Sequence, residues 1–183
     1  PGVGHGASVS GEACPLSIAL AFLDDPTAEP DTSCLARMDG PSFLVSDLDD
    51  VTLVPFHSED FHMSGVAPQG WIEKSLGEYA RSPLGLVEVL QVRFLGMTSE
   101  QLLELVMSQF GLDEVPQHTE VRETDELAWS LFKVESGGLT IDIAVAQEFF
   151  LTYLIVLQSL PGERDFYYSE VYLPAIDALT PDV

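Results

Sequence analysis

Positive charge is what this 183-residue chain has least of. Seven Lys and Arg stand against 30 Asp and Glu, for a net charge of −23. Nucleic-acid binding needs clustered cations to replace phosphate counterions. Here Arg37, Lys74, Arg81, Arg93, Arg122, Lys133 and Arg164 are scattered along the chain. An anionic membrane surface is disfavoured for the same reason. Long apolar runs are also missing. The most apolar stretch, Leu139 to Leu157, is broken by Asp142, Gln147 and Glu148, whereas a bilayer span takes about 20 apolar residues. No membrane insertion is expected. There is no internal repeat and no low-complexity tract.

Cysteine is scarce as well. Cys14 and Cys34 are the only two. Without a close Cys/His pair they fall short of the four ligands of a structural metal site, so no metal and no cofactor is expected. Composition leaves two readings open: buried free thiols in a cytosolic protein, or a disulfide in an exported one.

What the chain does have is 46% apolar residues, enough for a core and incompatible with a disordered acidic tail. A surface this acidic favours a cationic or neutral partner. The chain opens at Pro1 in Pro-Gly-Val-Gly-His-Gly, with no initiator Met and no charged leader, and reads as a piece of a longer protein.

Two regions are expected, 1–40 and 41–183. In the first, a glycine-rich loop leads to Pro15, suited to a first helical turn. Leu16, Ala19, Leu20 and Leu23 follow at helical spacing, and Asp24-Asp25-Pro26 ends the helix. The second reads as α+β: a mainly antiparallel sheet with about two packing helices. Val51–Phe56 predicts a strand, and Val66–Glu73 a turn leading into a strand. Val87, Val89, Val92 and Phe94 predict another, with a register break near Leu90-Gln91. Thr98 and Gln101 form a capping box ahead of Leu102, Leu103, Val106 and Phe110, with Gly111 closing the helix. Leu127, Trp129 and Leu131 alternate, and Gly137-Gly138 is a hairpin turn. Leu139, Ile141, Ile143 and Val145 alternate with Thr140, Asp142, Ala144 and Ala146, which predicts one buried face and one more open face. Gln147-Glu148 is expected to turn into a buried strand at Phe150–Leu157. Pro161-Gly162 opens a last helix, with Phe166, Val171 and Leu173 toward the core and Pro174 kinking or ending it.

Candidate chemistry is sparse. Gly6 to Gly11 approaches a nucleophile elbow around Ser8, but position 10 is Ser and only four residues precede Gly6. His57, Glu59, Asp60 and His62 are metal-ligand types without a ligand spacing. Asp47, Asp49 and Asp50 lack the Gly and distal Glu of an EF-hand. Trp71, Trp129 and the Tyr167-Tyr168 pair read as core or interface aromatics.

Gly4-His5-Gly6, then Cys14, then the apolar helix ending Phe22-Leu23-Asp24-Asp25-Pro26, then Pro30-Asp31-Thr32-Ser33-Cys34, resembles the C-terminal end of secreted α/β-hydrolases. The branch is the tripeptidyl-aminopeptidase-like and proline-iminopeptidase-like one. The resemblance covers about residues 1–36. It implies that 1–40 is the catalytic-His loop, last helix and disulfide loop of a hydrolase. His5 would be the general base of a Ser–Asp–His triad and Cys14–Cys34 a disulfide. In this fold the nucleophile and acid precede the His, so they would lie upstream of Pro1, and this chain is expected to be inactive by itself.

Residues 41–183 would then be an accessory domain, whose element order loosely resembles the PsbP-type α/β/α sandwich. The implied protein is an exported serine hydrolase, extracellular or at the cell surface. Its partner would be the N-terminal hydrolase portion or another protein chain, with a homo-oligomer as a further arrangement. The other reading is a non-enzymatic structural or binding subunit of an extracellular assembly. In that case the Phe149-Phe150 and Tyr167-Tyr168 pairs are candidate contacts, or else they simply fill the core.

Overall fold

The computed structural model describes residues 13–28, 30–34, 50–112 and 114–182. Two compact units divide the chain, Pro1–Asp47 and Leu48–Val183. In the first, helix α1 (Ala13–Asp24) runs into a turn in which the Asp25 carboxylate accepts from both the N–H and the hydroxyl of Thr27. Those bonds hold its carboxyl below the usual range. Cys34 returns to Cys14 as a disulfide, with Cα atoms 5.7 Å apart. A lone helix of this length is marginal in water, and the bridge removes freedom from the unfolded loop.

The second unit holds a seven-stranded antiparallel sheet. Its strands are β3 (Ile72–Ser75), β4 (Glu78–Ala80), β5 (Glu88–Leu95), β6 (Glu120–Glu123), β7 (Ala128–Ser136), β8 (Leu139–Glu148) and β9 (Leu151–Ser159), in the order β3-β4-β5-β9-β8-β7-β6. A small sheet pairs β1 (Leu53–Ser58), β2 (Met63–Pro68) and β10 (Thr180–Pro181). The order β5-β9-β8-β7 puts β8 and β9, the two strands with the longest buried runs, in the centre, where both faces can be covered.

One face carries Val89, Trp129, Leu131, Ala144, Tyr153 and Ile155. It packs with Met63 of β2 and with the C-terminal helical run: α3 (Arg164–Tyr167), a π turn (Tyr168–Tyr172) and α4 (Leu173–Ala178). The opposite face carries Val92, Phe132, Ile141, Ile143, Leu154 and Val156 under helix α2 (Ser99–Gln109). The domain is therefore α+β with helices on both sides of a mainly antiparallel sheet.

Local signals hold where one turn of chain contains them. The Thr98–Gln101 capping box closes in both directions. Gly111, at φ +70°, ends α2, and Gly137 and Gly138 both take the positive φ that this hairpin turn requires. Trp129 and Leu131 are buried as their alternation predicts.

Three expectations need correcting. β5 has no register break against β9: the pairing runs evenly from Glu88↔Gln158 to Leu95↔Leu151. Apolar residues switch faces because both faces are covered. The odd face continues past Val89 with Gln91, a buried polar residue whose Nε2 donates to the Val66 carbonyl at 2.8 Å. β8 is buried on both faces from Thr140 to Ala146, since α2 covers one side and the C-terminal run the other. Gln147 and Glu148 stay in β8, and the turn falls on Phe149-Phe150.

The last helix does continue past Pro174. With no N–H there to bond back, the chain first widens into the π turn, where the Leu173 N–H reaches the Tyr168 carbonyl, and α4 follows.

Candidate functional site

His5 and Ser8 lie outside the described residues, as do Asp47 and Asp49. Cys14 and Cys34 are bridged, a bond that persists in oxidising compartments. Among the described residues, no group of three or more His, Cys, Asp or Glu is placed to hold a metal ion, and no helix is long and apolar enough to cross a membrane.

One trio has the residue types of a hydrolytic triad. His57 Nδ1 lies 3.1 Å from Ser64 Oγ and 3.5 Å from Asp182 Oδ2. The geometry is wrong for catalysis. A triad His bonds the acid through one ring nitrogen and the nucleophile through the other. Here serine and aspartate meet the same nitrogen, so His57 cannot hold the Asp182 bond while taking the Ser64 proton. The serine hydroxyl also lies 3.4 Å from Asp182 Oδ1. The trio ties β10 to the β1–β2 hairpin.

The aromatic residues sort by environment. Trp129 is fully buried. Trp71 meets Tyr167 edge-on, with ring centroids 5.8 Å apart. Tyr167 is buried, so it is not a surface contact. Tyr168 lies under Arg164, whose Cζ is 3.9 Å from the ring centroid. That arginine also forks onto Asp142, with Nε to Oδ2 at 3.0 Å and Nη2 to Oδ1 at 2.6 Å.

The β8–β9 turn is different. Phe149 is 86% exposed and Phe150 78%; Leu95, paired with Leu151 at the adjacent end of β5, is 80% exposed. Apolar side chains at a two-residue hairpin tip normally give way to Asn or Gly. Phe149 moreover takes φ +52°, a left-handed conformation that is an outlier for a bulky residue.

The tip is braced from behind. The Gly96 N–H donates to the Phe150 carbonyl at 2.7 Å. Gln147 Oε1 accepts from the Ser99 N–H at 3.0 Å and from its hydroxyl at 3.3 Å, tying the hairpin to the start of α2. Three large apolar side chains are thus presented on a fixed backbone.

Sequence reasoning singled out Phe149-Phe150 but not Leu95, because nothing local marks a residue that becomes a neighbour only through β5–β9 pairing. It also missed the groove beside α2. This groove has a volume of about 300 Å³ and is lined chiefly by Leu90, Phe94, Leu105, Phe110, Leu154 and Val156. At its edge, Ser75 donates to Glu78 and Lys74 pairs with Glu88.

No protein-family model matches the chain, and no curated protein matches it in sequence. Solved structures do match. The solution structure of cyanobacterial PsbP (CyanoP) from Synechocystis sp. PCC 6803 aligns with a TM-score of 0.51 at 12% identity, covering 78% of this chain and 99% of that one. The Saccharomyces cerevisiae Ran-binding protein Mog1p aligns with a TM-score of 0.46 at 11% identity, covering 72% and 96%. A Bacteroides thetaiotaomicron VPI-5482 structure gives 0.45 at 12%, covering 69% and 47%.

The first of these likenesses assigns the α+β domain a PsbP-like fold, and the fold alone. Nothing in these comparisons supports the hydrolase resemblance of residues 1–36.

Proposed function

We propose that the Leu48–Val183 domain is a non-catalytic protein-binding module of an exported, extracellular or cell-surface protein, and that it docks through the Phe149-Phe150 hairpin tip. The observation that carries this reading is the exposure of both phenylalanines on a strained turn. Strain of this kind persists where function needs it, and aromatic anchors dominate interface energetics. The disulfide supports the exported setting.

Phe149→Gly provides the test. Glycine relieves the left-handed strain, worth about 1–2 kcal/mol, but adds freedom to the unfolded chain, about 0.5–1 kcal/mol. The variant should therefore melt at the same temperature or slightly higher. Its native complex, followed by size-exclusion chromatography of extracts from the source cells, should be lost. A complex that survives both Phe149→Gly and Phe150→Ser removes the tip as the docking element.

A second reading keeps residues 1–36 as the C-terminal segment of a serine hydrolase, with His5 as general base. The order of motifs and the Cys14–Cys34 bridge favour it. Fluorophosphonate labelling of the full-length protein is expected to depend on His5. Absence of labelling, or labelling that persists in His5→Ala, removes the assignment.

A further inference from the structure

The hairpin tip has a charge setting that narrows what it can meet. Lys74, Arg81, Arg122, Lys133 and Arg164 each pair with a carboxylate of this same chain: Glu88, Glu163, Asp177, Glu135 and Asp142. Arg93 stands on β5 across from Tyr153. Among the described residues, five of the six cations are thus paired within the chain and Arg93 is not, while the sequence as a whole carries a net charge of −23. At the tip itself, Glu148 immediately precedes Phe149, and Glu100 follows Ser99, the residue that holds Gln147. Phe149, Phe150 and Leu95 are thus exposed apolar side chains at one end of the sheet, with Glu148 next to the turn, Glu100 next to its brace, and Arg93 two residues before Leu95 on β5.

We infer that the tip inserts into an apolar socket on another protein and that the socket is rimmed by lysine or arginine side chains. This rests on the docking reading above and adds the partner's chemistry. The apolar anchor supplies burial, and the flanking carboxylates supply orientation and a fast, salt-sensitive encounter. A rim of acidic side chains would put like charges together as the tip desolvates. A bare apolar surface would leave Glu148 and Glu100 facing it with nothing to offset lost hydration. The bracing by Gly96 and Ser99 means that little conformational freedom is lost on insertion.

Two synthetic peptides serve as probes: Leu-Phe-Leu flanked by two lysines on each side, and the same core flanked by glutamates. Amide shifts of the full-length chain are followed by NMR at moderate salt. The lysine peptide is expected to shift Gln147 to Leu151 and Leu95 selectively. That effect should weaken about threefold or more in Glu148→Gln and vanish in Phe150→Ser, while the glutamate peptide gives no shift. Raising the salt from about 50 to 500 mM should weaken the lysine peptide by about tenfold or more.

Equal response to both peptides, no response at the tip, or shifts spread over the acidic surface and unchanged by Phe150→Ser would each overturn the basic-rimmed socket. So would tip-dependent binding to phosphatidylcholine vesicles without binding to the lysine peptide, which would make the tip a membrane anchor. These failures are separable from failure of the docking reading. If the native complex depends on Phe149 and Phe150 but the peptides do not discriminate, the tip still docks and only the partner's charge is wrong. If the complex ignores both phenylalanines, docking itself fails.

Discussion

Arg164→Ala is expected to lower the stability of the Leu48–Val183 unit by about 3–5 kcal/mol, the usual effect of removing one partner from a buried pair. Asp142 sits mid-strand in β8 with its side chain 2% exposed, and Arg164 is 21% exposed. Two parallel N–H bonds from the guanidinium satisfy both oxygens of this buried carboxylate. The hydrogen bonds to Asp142 hold the Arg164 proton far above its ordinary range.

Without the arginine, Asp142 is left in the core without its counter-ion. Lys133 lies across the strand pair from it, but its ammonium is directed to Glu135, at 3.9 Å. Arg164→Lys should recover only part of the loss, because an ammonium cannot make the bidentate fork. Asp142→Leu combined with Arg164→Met should return close to the starting stability, since a packed apolar pair replaces a buried ionic one at little cost. Urea melts decide the matter. A loss under about 1 kcal/mol in Arg164→Ala would show that water reaches Asp142 and that the pair does not hold α3 to the sheet.

Alkaline conditions are expected to unfold this domain cooperatively. Burial raises the phenol pKa of Tyr79, Tyr153, Tyr167, Tyr168 and Tyr172 above the ordinary value, with Tyr172 raised furthest. The sign follows from which state keeps its protons. Above about pH 10 the unfolded chain loses its phenol protons while the folded domain retains them. Stability is thus fully present below that point and falls as pH rises beyond it. Lys74, raised mainly by its hydrogen bond to Glu88, loses its contribution in the same direction.

The near-ultraviolet phenolate signal and the far-ultraviolet circular dichroism should therefore change together above about pH 10, not one after the other. Five tyrosines titrating smoothly near the free value, with the sheet signal intact, would show that their burial does not resist ionisation.

How much of this was legible in the sequence depends on the reach of each interaction. Thr98 and Gln101 are one turn apart and form their box with each other, so the start of α2 was readable from four residues. Gly137-Gly138 and the alternation around Trp129 were readable for the same reason. The disulfide was suggested only by the order of motifs in residues 1–36, because spacing alone allowed free thiols equally well.

The candidate site was half legible. The Phe149-Phe150 pair stood out as aromatic, but local preference puts such residues inside a strand and a polar Gln-Glu pair in the turn. The reverse occurs here. Gln147 is held in place by Ser99, 48 residues away, and the turn is pushed onto the phenylalanines.

The sequence by itself determined an acidic α+β chain with scattered cations and a single cysteine pair. It determined the ends of α2, the Gly137-Gly138 hairpin and the central apolar strands, because each is set by neighbours within a few residues or by composition. Only the tertiary structure decided that β5 and β8 are covered on both faces. It also decided that Gln91 and Asp142 are buried with partners far along the chain, and that Tyr167 is core while Phe149 is surface. Those outcomes depend on which elements pack over a strand and which carbonyl or guanidinium lies opposite a polar group; for Gln91 and Asp142 the partners are 25 and 22 positions away.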